Sequence, residues 1–165
     1  MTSRIDYGSV CSRLRSLIVS TRPVTAFSNA SSFLFYELND VSWVGFYFFD
    51  PDVDKLILGP FQGKPACVEI GRGKGVCGHA FETGSTVIVP DVREFPGHIA
   101  CDADSRSEIV VPIKIRGAVV ALLDVDSAIP CRFSDQDASG LERIACVIEE
   151  YSADHYPFDL IKSKG

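Results

Sequence analysis

The sequence predicts a single α+β domain with a central, mostly antiparallel sheet flanked by N- and C-terminal helices. Helical periodicity occurs at the two ends of the chain, and between them lie short β-branched and aromatic segments joined mainly by tight turns. Runs of strands without a crossover helix between each pair favour α+β over doubly wound α/β. The 165 residues, 46% hydrophobic and 23% charged, suit one domain with one core, which we expect over about 24–151.

The N-terminal part of the chain predicts two helices. Apolar residues in 5–20 recur at helical spacing, and Pro23 interrupts the pattern before a second helix over 24–38. A third, short helix is expected over 76–82, ending at Thr83-Gly84. The last begins after Ser134, a favourable N-cap, and continues to about Tyr151.

The predicted strands are short and end at turn residues. The segment 91–106 shows no clear hydrophobic periodicity, and we expect a long loop there. A long ordered loop inside a compact domain is more often functional than not. Two strong strands follow it, with Arg116-Gly117 as the hairpin hinge. The expected strands are 41–49, 55–58, 67–70, 86–89, 107–115 and 118–125.

Charge and motif content exclude several classes of protein. The net charge of -6 disfavours binding to nucleic acid, and the sequence contains no apolar run of transmembrane length. Met1 to Leu14 lack the apolar stretch of a secretory signal, so we expect a cytoplasmic protein. Gly71 to Gly78 lack the residue order of a nucleotide phosphate loop, and no cofactor is expected.

Three of the six cysteines are expected to be structural. Cys11 and Cys146 lie in helical patterns and should be buried as small hydrophobic residues, and Cys131 follows Pro130 in a turn. In a reducing compartment, cysteines are generally buried, catalytic or metal-bound rather than disulfide-bonded.

Cys67, Cys77 and Cys101 lie at element ends or in the long loop, where thiols can react. Cys77 falls at the expected start of a helix, whose dipole stabilises a thiolate. Cys101 follows His98 by three residues, and an imidazolium there would lower the pKa of the thiol. From the local sequence alone, these three cysteines are equally consistent with reactive thiols and with ordinary thiols that have no functional role.

A metal site is the competing interpretation of the same region. Cys77, His79, His98 and Cys101 are suitable ligand types, but Cys-x-His and His-x2-Cys do not match the usual ligand spacings of structural zinc. We therefore expect no metal site.

Three carboxylates are expected to form an acidic cluster beside two aromatic rings. Asp124 and Asp126 alternate on one strand face, and Glu108 starts the partner strand. Such a cluster can bind an ammonium group, or hold one carboxyl protonated as a proton donor, although single carboxylates are more often solvated surface groups. Trp43 and Tyr47 share a strand face, as core residues or as a pocket wall.

These residues, taken in order, resemble the free methionine-(R)-sulfoxide reductases, which are stand-alone GAF-domain enzymes. The resemblance covers roughly 30–150, and its most specific part is the cysteine triplet at positions 67, 77 and 101. The matching segments are Ser42-Trp43-Val44-Gly45-Phe46-Tyr47, Gly73-Lys74-Gly75-Val76-Cys77-Gly78, Pro90-Asp91-Val92, His98-Ile99-Ala100-Cys101-Asp102, Ser107-Glu108-Ile109-Val110-Val111-Pro112 and Leu123-Asp124-Val125-Asp126-Ser127.

The resemblance implies a GAF-like fold and a role for each matched residue. Cys101 corresponds to the nucleophile that attacks the sulfoxide sulfur and becomes a sulfenic acid, and Cys77 or Cys67 to the resolving thiol that forms a disulfide. It also implies a homodimer and a thioredoxin-type dithiol reductant. Glu108, Asp124 and Asp126 correspond to substrate-binding carboxylates that assist proton transfer, and Trp43 and Tyr47 to the aromatic wall.

Two other functions remain open on the sequence. A GAF domain can act as a small-molecule sensor without catalysis, although a sensor gives no reason for the cysteine triplet. The cysteines could also form a thiol redox switch that records oxidation without reducing a substrate.

Overall fold

Four α-helices and one antiparallel sheet account for most of residues 5–19, 22–99 and 101–155, which the computed structural model describes. The six strands pair in the order β3-β2-β1-β6-β5-β4. The predicted α+β class with an antiparallel sheet is therefore confirmed. The elements are α1 (Tyr7–Leu17), α2 (Pro23–Glu37), β1 (Trp43–Asp50), β2 (Lys55–Gln62), β3 (Glu69–Gly71), α3 (Gly75–Thr83), β4 (Val87–Val89), a 3₁₀ turn (Val92–Glu94), β5 (Ser107–Ile115), β6 (Ala118–Ser127) and α4 (Asp135–Asp154).

The sheet separates two hydrophobic clusters, because alternate strand residues point to opposite faces. On β6, Leu123 and Val125 face the larger cluster, which α1, α2 and α4 cover. Leu122, on the opposite face, belongs to the smaller cluster with Val110 and residues of α3. The candidate site occupies this second face.

Helix ends follow local chemistry that the sequence pattern located to within a few residues. α1 starts one residue after Asp6, whose carboxylate accepts the Ser9 N–H at 3.1 Å. α2 starts on Pro23 itself, since proline is well tolerated at the first helical position. The predicted N-cap Ser134 is confirmed, in a reciprocal capping box with Asp137.

Three strand boundaries differ from the prediction in ways that matter for the site. β2 continues to Gln62 through Pro60, which is tolerated because β3 pairs only with 55–57 and leaves that stretch of β2 at an edge. β3 begins at Glu69, so Cys67 lies in the preceding loop and not in a strand. β6 extends to Ser127 and therefore includes both Asp124 and Asp126.

Helices α1 and α4 pack closely against each other at Gly140. A Cβ on Gly140 would lie 2.3 Å from Cγ and Cδ2 of the buried Tyr7 ring, whose hydroxyl donates to Asp137 Oδ1 at 2.7 Å. Gly140→Ala should therefore destabilise the protein by about 1–2 kcal/mol, because overpacking outweighs the better helix propensity of alanine. Urea unfolding measures the change, and Ser139→Ala, at the exposed neighbouring position, should be nearly neutral. Greater stability of Gly140→Ala would contradict this close packing.

No helix within the described part of the chain is long and apolar enough to cross a membrane.

Candidate functional site

A cavity of about 40 Å³ lies on the second face of the sheet, beneath α3 and the loop that precedes β5. It is large enough for a few water-sized groups. Every site residue predicted from the sequence except Cys67 lines it, and Cys67 adjoins it through its bond to Cys101. The lining residues that bear on chemistry are Trp43, Tyr47, Lys74, Cys77, His98, Cys101, Asp102, Glu108, Asp124 and Asp126.

The sheet register brings the three carboxylates together, as predicted. Glu108 on β5 is directly opposite Asp126 on β6, and Asp126 is in turn opposite Trp43 on β1. Asp124 lies two residues away on the same face, opposite Gly45. A side chain at Gly45 would collide with the Trp43 indole, 2.4 Å from its Cη2, so this glycine lets the ring lie flat against the strand.

The carboxylates share a dry environment that favours their protonated forms. Burial raises the pKa of Glu108 well above its usual value, and the negative charges of Asp124 and Asp126 raise it further. Burial also raises the pKa of Asp124, opposed by a hydrogen bond from the Cys77 thiol. The pKa of Asp126 is raised well above its usual value, again chiefly by burial. The cluster can therefore hold protons at neutral pH.

One carboxylate oxygen is left without a partner. Asp124 is 6% exposed, and its Oδ1 is buried with no hydrogen-bond partner among the described residues. Its Oδ2 accepts from Cys77 Sγ at 3.5 Å. Because an unsatisfied buried acceptor is costly, Oδ1 is available for a donor that enters the cavity.

Cys67 and Cys101 form a disulfide, with their Cα atoms 5.4 Å apart and a sequence separation of 34. Both residues are half-buried. The sequence left Cys67 and Cys77 open as partners of Cys101, and the tertiary structure joins Cys67 to it.

Cys77 remains a free thiol beneath the cavity, 3% exposed. It lies in the first turn of α3, where the helix dipole was expected to stabilise a thiolate. That expectation is wrong: burial raises the pKa of Cys77 well above its usual value, and Asp124, Glu108 and Asp126 raise it further. A buried thiol beside three carboxyl groups stays protonated.

The two aromatic residues do more than line the cavity. Tyr47 Oη donates to the Cys67 carbonyl at 2.9 Å, and Trp43 Nε1 donates to the Lys64 carbonyl at 3.0 Å. Both bonds hold the segment that carries Cys67 against β1. Trp43 also stacks on Phe61, with ring centroids 5.3 Å apart, a neighbour that the sequence analysis missed because β2 was predicted too short.

His98 lies beside the carboxylates rather than in an ion pair with a thiolate. Its Nε2 is 3.8 Å from Glu108 Oε2, and burial lowers the pKa of His98, so the ring is neutral at physiological pH. In this disulfide-bonded form Cys101 has no thiol for His98 to activate. A turn at Pro96-Gly97 precedes His98: Gly97 has φ 73°, and the His98 N–H donates to the Phe95 carbonyl at 3.1 Å.

The four residues of the alternative zinc interpretation do not assemble. Cys101 is bonded to Cys67, and His79 is exposed on α3, packed edge-on to Phe95. The donor atoms that do lie within 4.8 Å of one another are those of Cys77, Glu108 and Asp124. A small cation could bridge that spacing, but the same three groups also form a cluster suited to proton transfer.

The remaining cysteines lie away from the cavity. Cys131 lies at a turn with φ 56°, as expected for its place after Pro130, and is exposed. Cys146 was expected to be buried and is exposed, because it lies on the outer side of α4, away from the core residues Ile144 and Ile148. Cys11 is half-buried against the larger cluster.

The fold and site together define a class: an α+β domain of the GAF type in which two bonded cysteines adjoin a buried acidic cavity. The GAF domain family model matches residues 12–149. The free methionine-R-sulfoxide reductase of Escherichia coli is 44% identical over 126 residues, covering 76% of this chain and 75% of that protein. The enzyme of the same name from Saccharomyces cerevisiae is 46% identical over 129 residues, covering 74% and 72%.

The solved structures agree with the sequence relatives. The free methionine-R-sulfoxide reductase of Neisseria meningitidis, in complex with its substrate, superposes with a TM-score of 0.87 at 39% identity, over 90% of this chain and 89% of that one. The chain belongs to the GAF-domain family of free methionine-R-sulfoxide reductases, which are oxidoreductases.

Proposed function

We propose that the protein reduces free methionine-(R)-sulfoxide to methionine in this cavity, by thiol chemistry at Cys101. The observation that carries the proposal is the Cys67–Cys101 disulfide at the edge of a buried acidic cavity. Reduction of a sulfoxide needs a nucleophile for the sulfur and a proton for the oxygen, and the two groups meet here. The names of the relatives support the substrate and its R configuration.

The first step transfers the sulfoxide oxygen to the enzyme. The Cys101 thiolate attacks the substrate sulfur, and a protonated carboxyl of the Glu108, Asp124 and Asp126 cluster donates to the oxygen. Methionine leaves with its sulfur reduced by two electrons, and Cys101 becomes a sulfenic acid. The raised pKa of Glu108 supports its assignment as the donor, because it favours the protonated carboxyl.

The second step restores the thiol. The Cys67 thiolate attacks the sulfur of the Cys101 sulfenic acid, the hydroxyl takes a proton and leaves as water, and the disulfide forms. Cys67 is favoured over Cys77 because it is bonded to Cys101 in the structure, whereas the buried Cys77 contacts Asp124. A thioredoxin-type dithiol protein then reduces the disulfide by exchange.

Selectivity for the free amino acid follows from the charge of the cavity. The α-ammonium of a free amino acid can donate to the unpartnered Asp124 Oδ1 and to its neighbours, whereas a methionine residue inside a peptide has no such group. Trp43 and Tyr47 offer an apolar wall for the side chain. The dithiol partner and a homodimer, both implied by the family resemblance, and the cytoplasmic location expected from the sequence complete the proposal.

Chiral chromatography tests the function directly. The protein is incubated with free methionine-R,S-sulfoxide and dithiothreitol, and methionine and both sulfoxide epimers are quantified. Loss of the R epimer alone, stopping near half conversion, is the expected result. If folded, reduced protein forms no methionine, the reductase is ruled out, and the disulfide is left as that of a redox switch or a sensor domain.

The two candidate resolving cysteines should behave differently. Cys67→Ser should release one equivalent of methionine but fail to recycle with thioredoxin, because the sulfenic acid on Cys101 has lost its partner. Cys77→Ser should recycle at close to the normal rate. Burst size and steady-state rate are measured together, with Cys131→Ser, an exposed free thiol, as the control. Normal recycling by Cys67→Ser would transfer the resolving role to Cys77.

A further inference from the structure

The segment that carries Cys67 and the loop that carries Cys101 are joined a second time, by an ion-pair network. Lys64, three residues before Cys67, pairs with Asp104, and its Nζ also lies 3.6 Å from Asp102 Oδ1. Asp102 directly follows Cys101 in the sequence. One lysine side chain therefore connects the two segments that the disulfide connects.

Both ends of this connection are anchored. The Lys64 carbonyl accepts the indole N–H of Trp43 on β1 at 3.0 Å, which fixes the lysine backbone to the sheet. On the other side, Asp102 Oδ1 accepts the Asp104 N–H at 3.0 Å and closes a turn, so the two carboxylates face Lys64 together. Hydrogen bonding to Asp104 raises the pKa of Lys64, and the same contact lowers the pKa of Asp104.

We propose that Lys64 is a positioning residue that holds the Cys67 segment against the Cys101 loop and so promotes formation of the disulfide. The two cysteines are 34 positions apart in the sequence, and β3, α3 and β4 lie between them. A tether between their segments raises the effective concentration of one thiol at the other. The catalytic part of this inference rests on the proposed function, whereas its effect on the disulfide equilibrium does not.

The expected size of the effect on the disulfide equilibrium follows from the solvent exposure of the Lys64 ion pairs. The Lys64 and Asp104 side chains are 61% and 70% exposed, whereas that of Asp102 is 17% exposed. Exposed ion pairs contribute modestly and are screened by salt. Loss of Lys64 should therefore shift the equilibrium by about twofold to fivefold at low salt, and by almost nothing near 1 M salt.

The equilibrium measurement uses Lys64→Gln in the full chain. The protein is equilibrated with reduced and oxidised glutathione, free thiols are blocked by alkylation, and the Cys67–Cys101 disulfide is quantified by peptide mass spectrometry. The variant should hold a smaller oxidised fraction at the same buffer ratio, and Lys64→Arg should restore it. The matched control is Arg15→Gln, which removes an exposed ion pair with Glu150 between α1 and α4, away from both cysteines. An unchanged equilibrium in Lys64→Gln, or an equal shift in Arg15→Gln, overturns the proposal.

A kinetic measurement separates positioning from a general structural effect. In single turnovers, Lys64→Gln should release methionine at the normal rate, while the Cys101 sulfenic acid, trapped with a dimedone probe, should persist longer. Slower methionine release with unchanged sulfenic acid decay would contradict the positioning role. If the protein released no methionine at all, the proposed function would fail, and the glutathione equilibrium would still decide the role of Lys64.

Discussion

Cys101→Ser should reduce the rate of methionine formation by on the order of 10³-fold or more. A serine hydroxyl is a far weaker nucleophile toward sulfur than a thiolate, and the variant cannot form a sulfenic acid or a disulfide with Cys67. The other thiols are poor substitutes, since Cys77 is buried with its pKa raised well above the usual value, Cys11, Cys131 and Cys146 lie away from the cavity, and Cys67 adjoins the cavity without lining it. Initial rates of methionine formation with dithiothreitol measure the effect.

The control for this variant is Cys131→Ser, which removes an exposed free thiol and should leave the rate unchanged. Intact protein mass and thiol counting confirm that the Cys67 thiol is free in Cys101→Ser. Activity within tenfold of the parent protein would mean that another group attacks the sulfoxide, and the assignment of Cys101 would be withdrawn.

Glu108→Gln should lower the rate by about 100-fold or more and change the pH dependence of stability. The amide cannot donate an acidic proton to the departing oxygen, although it keeps the size of the side chain. In the parent protein, burial and the neighbouring Asp124 and Asp126 raise the pKa of Glu108, which favours its protonated form. The rate at saturating substrate separates loss of proton donation from weaker binding.

The effect on stability has a definite sign. A carboxyl whose pKa is raised by folding holds its proton in the folded state over a pH range where the unfolded chain has lost it. Its stabilising contribution is present below the unfolded pKa, near 4, and is lost as the pH rises through the raised folded pKa. Glu108→Gln has no carboxyl to titrate and so avoids this loss of stability. Between about pH 4 and the folded pKa of Glu108, the free energy of unfolding should therefore fall less in the variant than in the parent protein.

Urea unfolding at several pH values tests this, with the difference between variant and parent as the readout. Asp91, Asp104 and Asp137 have lowered pKa values, which act in the opposite direction, but they cancel in the difference. Glu94→Gln, at an exposed position near the cavity loop, is the control and should give a flat difference. A flat difference for Glu108→Gln as well would mean that the carboxyl is ionised in the folded protein.

Most of the secondary structure and much of the candidate site could be predicted from residue order. The apolar spacing in α1, the capping residue Ser134 and the hairpin at Arg116-Gly117 act over a few residues, so the sequence expresses them directly. The same holds for the shared face of Asp124 and Asp126, which follows from the two-residue period of a strand.

Other features depend on how the strands and helices pack together, and they could not be predicted from residue order. β2 was predicted too short because Gly59 and Pro60 are unfavourable in a strand. They are acceptable here because β3 pairs only with 55–57 and leaves them at an edge of the sheet. The outward position of Cys146 likewise depends on which side of α4 packs against the sheet.

The chemistry of the thiols depends most on tertiary structure. By itself the sequence determined an α+β domain, three cysteines set apart from the others, and an acidic cluster on one strand face. The tertiary structure joined Cys67 to Cys101. It also buried Cys77 among carboxyl groups, and both the burial and these groups raise the pKa of the thiol despite its place at the start of a helix. The physical reason is distance in sequence: periodicity and capping are local, whereas disulfide pairing, burial and pKa depend on segments that only the folded chain brings together.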